Sequence, residues 1–149
     1  MKIILSALLV IILYTGAVQA QTRGFGLGVI IGEPTGLSAK LWTGGSNAFV
    51  FGTAWSFRGE GRVLLQADYT WHTSNLLASG PGRMPLYYGI GGRIILDDDP
   101  LVGVRIPVGL NYQFAGEPID LFIEIVPILD LTPETDFDVG GGIGIRFWF

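Results

Sequence analysis

Three sets of residues in this chain have types that can do chemistry. The first is His72 with Ser74 and Asp68, the side chains of a nucleophilic hydrolase. The spacing does not assemble them. In an extended segment Asp68 lies four residues, roughly 13 Å, from His72. A lone histidine on a polar face is more simply a hydrogen-bonded wall residue. The second set is Asp97-Asp98-Asp99-Pro100. It is acidic enough to attract a divalent ion, but it lacks the spaced ligands and the glycine of a calcium loop, and a solvated turn is the simpler reading. The third set is glycine-rich: GFGLG at 24–28, GIGGR at 89–93 and GGGIG at 140–144. None leads from a strand into a helix, so no dinucleotide loop is expected. The chain has no cysteine and one histidine. That excludes disulfides, thiolate metal sites and acylation at cysteine, and leaves no histidine cluster for a metal. No catalytic, cofactor-binding or metal-ligating residue is assigned, and no cofactor is expected.

The elements that would position these residues follow from composition and pattern. The 149 residues suffice for one domain. The formal charge of −4 offers no basic footprint for nucleic acid. Although 49% of residues are hydrophobic and only 15% are charged, no long run after residue 20 is apolar throughout. Glycine (23 residues), valine, isoleucine and aromatics recur, as in a β protein with tight turns. Residues 1–20 have the form of a secretory signal peptide: Lys2, an apolar run Ile3–Tyr14, and Val18-Gln19-Ala20 before the cut. The mature domain would be 21–149.

Eight strand-like segments then follow, at 24–32, 36–43, 47–57, 62–73, 85–96, 101–114, 119–130 and 137–149. Most are about ten residues long, more than the usual soluble strand and near what crosses a bilayer when tilted. Turn residues join them: Glu33-Pro34-Thr35, Gly44-Gly45-Ser46, 58–61, 97–100, 115–118 and 131–136, with one longer connection at 74–84. Strands joined this way form a meander, and an even number can close and lose both edges.

Alternate residues sort onto two faces. One face collects bulky apolar groups, such as Phe49, Phe51 and Trp55, then Ile143, Ile145, Phe147 and Phe149. The other collects glycine, small residues and nearly every mid-strand charge: Lys40, Asp68, Arg93, Arg105, Asp120, Glu124, Asp138 and Arg146. In a soluble barrel the apolar face would be the interior. That many aromatics would overfill an eight-stranded interior, and about one charge per strand is too few for a solvated exterior. The pattern therefore predicts an all-β, eight-stranded, antiparallel up-and-down transmembrane β-barrel with short turns, apolar outside and polar inside. Aromatics near strand ends, Trp42 among them, would form interfacial girdles.

The chain ends in GIRFWF. In this it resembles the outer-membrane barrels of Gram-negative-type bacteria, whose last strand ends in an aromatic recognised by the barrel-assembly machinery. Its size is that of the OmpA-type eight-stranded group. GLGVIIGEPTGLSAKLW, MPLYYGIGGR and VPILDLTPETDFDVGGGIGIRFWF are similar to a family of small bacterial outer-membrane barrels. The resemblance implies an outer-membrane location, lipid and lipopolysaccharide as surroundings, and Phe147 and Phe149 as the assembly signal. It implies no enzyme activity. Some barrels of this size modify lipid A, but with both termini periplasmic His72 would lie at the end away from the outer leaflet. The long external loops of the OmpA-type pattern are missing, since 33–35, 58–61, 97–100 and 131–136 are all short.

Turn midpoints put Asp120 near Arg146, Lys40 level with Asp68 across Val50, and Arg93 beside Arg105 with Glu124 close in depth. Charges in so narrow a lumen should be paired. A salt-bridged, mostly sealed, monomeric barrel with a structural or surface-interaction role is the leading expectation. A narrow channel for water or small solutes is the alternative, and a soluble periplasmic barrel holding a small apolar ligand is a third. The glycines of the first and last strands would either leave a gap along one wall or give room to Trp42, Trp148 and Arg146. The acidic turn 97–99 would meet lipopolysaccharide phosphates through Mg²⁺ or Ca²⁺.

Overall fold

The computed structural model describes residues 24–55, 62–77 and 80–149. The expected signal peptide at 1–20, the turn at 58–61 and Phe57 lie outside them. The described residues form nine strands: β1 (Phe25–Glu33), β2 (Gly36–Trp42), β3 (Asn47–Trp55), β4 (Val63–Asn75), β5 (Pro85–Leu96), β6 (Leu101–Arg105), β7 (Val108–Gln113), β8 (Ile119–Thr132) and β9 (Asp136–Trp148).

β6 and β7 are two halves of one stave. Arg105 stands opposite Gly91 and Val108 opposite Tyr88, so the register on β5 runs through the gap unchanged. Only Pro107 interrupts it, because proline has no N–H to give. The ladder is otherwise kept: Ile106 N donates to Pro127 O at 3.0 Å, and Pro107 O accepts from Gly89 N at 3.0 Å. Every neighbour is antiparallel, and β1 closes on β9 from Gly26–Trp148 to Glu33–Gly141. The result is the expected closed, eight-stranded antiparallel barrel, with no free edge to template aggregation.

Local chemistry sets the turns. Thr35 Oγ1 accepts from Gly32 N at 3.0 Å and donates to Gly32 O at 2.9 Å, tightening the bend at Pro34. Asp97 Oδ1 accepts from Asp98 N at 2.8 Å at the start of the acidic turn. Gly116, at φ +76°, takes the left-handed position in the turn before β8. Asn75 extends β4 past its expected end. Its Oδ1 accepts from Leu77 N at 3.1 Å and Met84 N at 2.8 Å, organising the longest connection.

The barrel is inverted relative to a soluble domain. Ile31 is 71% exposed, Phe137 65% and Ile125 64%, whereas Lys40 and Arg105 are 1% exposed and Arg146 2%. Side chains of both kinds fill the interior. Ile30, Tyr87 and Phe122 form one apolar cluster, and Trp42, Ala48 and Trp148 another. Trp42 therefore belongs to the lumen and not to an interfacial girdle. Its alternation within β2 follows Lys40, two residues away, and turns it inward.

Among the described residues, several lumenal glycines seat large neighbours. A side chain at Gly26 would meet the Trp148 ring, one at Gly144 Phe122, one at Gly91 Asp68, and one at Gly109 Tyr87. Outside, rings run around the end that holds Phe25 and Phe149. Phe49 meets Tyr69 at 5.0 Å, Tyr69 meets Trp71 at 5.0 Å, Trp71 meets Tyr88 at 6.0 Å, and Phe147 meets Phe149 at 5.4 Å.

Candidate functional site

The charged lumen is the candidate site, and it has three levels. The middle level is centred on Arg105, carried inward by β6. Its Nε lies 2.9 Å from Asp68 Oδ1 on β4, and its Nη2 lies 3.6 Å from Glu124 Oε1 on β8. Its Nη1 donates to Gln66 Oε1. Tyr87 OH donates to the other Glu124 oxygen at 2.8 Å. One guanidinium thus joins three staves, and the fork geometry of arginine makes that possible.

Nearer the termini, Lys40 Nζ lies 2.7 Å from His72 Nε2 and 3.3 Å from Asn111 Oδ1. It also sits 4.4 Å from the centre of the Trp42 ring. Ser46 O, 3.1 Å from His72 Nδ1, takes the Nδ1 proton, which makes Nε2 the acceptor for the ammonium. Lys40 is held by neutral dipoles and a π face, not by a carboxylate. The same level holds Arg146 and Asp120, which are opposite each other in register, with Nε 3.5 Å from Oδ1. Trp148 Nε1 donates to the other Asp120 oxygen at 2.9 Å, and the Arg146 guanidinium stacks on Phe122 at 3.9 Å.

Toward the opposite end, Arg93 on β5 grips Asp130 with both prongs, Nε–Oδ1 at 3.0 Å and Nη2–Oδ2 at 2.6 Å. The same Nη2 reaches Asp138 at 3.4 Å.

Several sequence readings change here. Arg93 does not lie beside Arg105. It stands opposite Gly103, two residues from Arg105, because the hairpin's last pair is Ile95–Leu101 and the turn centres on Asp98, whereas pairing with Arg105 needs a centre at Asp99. Lys40 and Asp68 both flank Val50 in register, yet Asp68 is committed to Arg105 across the lumen. Asp130, the main partner of Arg93, falls at the end of the segment 119–130, and its parity with Asp120 and Glu124 is the sequence signal that turns it inward. The hydrolase set is not assembled either. Both His72 nitrogens and Asp68 are engaged elsewhere, and Ser74 lies exposed beyond them.

Together the closed meander, apolar exterior and charge-lined interior define a small antiparallel barrel of inverted polarity. Among solved structures it is similar to the crystal structure of the N-terminal β-barrel domain of Pseudomonas aeruginosa OprF. The TM-score is 0.62, and the match covers 88% of this chain and 100% of that one at 15% identity. At that identity the likeness is one of fold. No family model and no curated protein matches the sequence.

Proposed function

We propose that this chain is a non-enzymatic integral protein of the bacterial outer membrane, a monomer with a structural or surface-interaction role and a lumen closed by its ion pairs. The inverted burial carries the reading: an apolar band faces out on every stave, while lysine and arginine lie within. Length agrees. The 13 residues of β9 span about 43 Å along the strand, or about 33 Å of barrel axis at a tilt near 40°, against about 30 Å of hydrocarbon. The OprF barrel domain, an outer-membrane-type fold, supports the same location. Arg105 and Lys40, bonded to side chains on staves beyond their neighbours, and Arg146, stacked on Phe122 of the adjacent β8, fill the lumen and support closure.

In this reading both termini face the periplasm. The ring of aromatics then anchors the inner interface, and the acidic turn 97–99 meets lipopolysaccharide phosphates through divalent ions. Two measurements test it. The mature barrel should fractionate with outer membranes as a detergent-requiring, heat-modifiable band; a soluble periplasmic band refutes the membrane placement. Planar-bilayer recordings should then show no steady conductance, and stable unitary channels would replace the closed lumen with the narrow-channel reading.

Phe147 and Phe149 are proposed as the signal read by the assembly machinery. Phe149 also sits at the closing seam, its N donating to Phe25 O at 2.9 Å. Deleting it removes one such bond and its ring contacts, about 2 kcal/mol together. Refolding in detergent should therefore survive the deletion while outer-membrane yield falls several-fold. An unchanged yield in cells would count against the assembly role.

A further inference from the structure

Beyond Arg93 the lumen opens into a cavity of about 310 Å³ that faces the end opposite the termini. Ala54, Leu64, Ile95 and Leu101 give it apolar walls. Its floor is the Arg93–Asp130 pair, whose side chains are 9% and 7% exposed. That pair is self-sufficient, since the guanidinium fork matches both carboxylate oxygens. Asp138 is different. It is 56% exposed, its Oδ1 accepts from Val139 N at 2.9 Å, and the cation it meets is the Nη2 already used by Asp130, at 3.4 Å. One guanidinium therefore faces two carboxylates, and the floor keeps one net negative charge, at the side chain that faces the opening.

The surroundings deepen this charge. Glu33 and Arg62 line the mouth, and Arg62 lies 3.7 Å from Asp97. The flanking turns add Asp98, Asp99 and Glu134, and the first residue of β9 adds Asp136. Among the described residues, Arg62 and Arg93 are the cations at this end. A concave site lined by one sign of charge concentrates counter-ions. The walls then choose among them. A hydrated metal ion gains nothing from Leu64 and Ile95, whereas an ammonium carried on an apolar body buries that body and pairs its charge.

We propose that this vestibule binds a small amphipathic organic cation, with Asp138 as its counter-ion and the apolar walls as its seat. The volume lies at the lower end for small-molecule pockets, about 300–1,000 Å³. The proposal goes beyond the structural role above and does not depend on whether the lumen conducts.

The test uses the mature barrel refolded in maltoside micelles, which carry no competing ammonium group. Phenethylammonium is titrated while backbone amide signals of Asp130, Val139 and Gly140 are followed by NMR, with phenylacetate, 2-phenylethanol and MgCl₂ as matched probes. Phenethylammonium should give saturable shifts at these amides, and the acid and alcohol should bind about tenfold more weakly or not at all. Asp138→Asn should weaken binding by about fivefold or more, at an exposed position where folding is unaffected. Leu64→Trp, which fills the cavity, should abolish the shifts in a barrel that stays heat-modifiable. Equal binding of phenylacetate, no effect of Asp138→Asn, or shifts with MgCl₂ alone would each overturn the proposal.

Discussion

Replacing Arg105 with methionine is expected to destabilise the barrel by about 3–5 kcal/mol, the cost of breaking a buried ion pair from one side. Methionine keeps much of the volume and none of the charge. Asp68, 3% exposed at its side chain, would lose its cation, and Glu124 would keep only the Tyr87 hydroxyl. Gln66 Oε1 would lose its donor as well. Urea unfolding of the refolded barrel, followed by far-UV circular dichroism, measures the loss. The double variant Arg105→Met/Asp68→Leu should recover more than half of it, because removing both partners leaves no orphaned charge. The outcome also reports on the lumen. A cost below about 1 kcal/mol is the value of a solvated pair, and it would mean that water reaches this level. That result would favour the channel over the closed barrel, independently of any conductance recording.

The reason this pair decides so much is also the reason that the sequence did not display it. The side a strand residue faces is a matter of parity, and parity is written in the sequence. Phe49, Phe51 and Ile143 fall on one side and Lys40 and Arg105 on the other without reference to any neighbour. Turn chemistry sets the order of the staves, so the closed meander was legible too. Even the Pro107 break leaves the register of its stave intact.

Partners across the lumen were not legible. Arg105 reaches Asp68 over the intervening β5, and Lys40 on β2 reaches Asn111 on β7. Such contacts depend on the barrel's width, the tilt of its staves and the length of each side chain. Adjacent-strand register carries none of these. The inward aromatics show the same division. Parity places Trp148 with Arg146 and Phe122 with Asp120 and Glu124, and the glycines opposite them, Gly26 and Gly144, provide the space they need.

The exterior admits an equally sharp test. Ile143 on β9 stands between Ile31 of β1 and Ile123 of β8, opposite both in register. All three point outward, with Ile143 61% exposed. The position is near the middle of β9, Asp136–Trp148, and so near the middle of the apolar band. Ile143→Arg adds a charge to this band and touches nothing in the lumen. If the band meets lipid, the charge must be dragged toward the bilayer midplane. The refolded barrel in phospholipid vesicles should then lose about 2–4 kcal/mol. If the band meets water, an arginine on an exposed strand position should cost no more than about 0.5 kcal/mol. Moving the same substitution along the strand sharpens the distinction. Phe137→Arg, at the turn end, should cost only about 0–1 kcal/mol where the bilayer gives way to headgroups. A depth profile falling from Ile143 toward Phe137 is the signature of a bilayer, because no property of a soluble surface varies with height along a stave in this way.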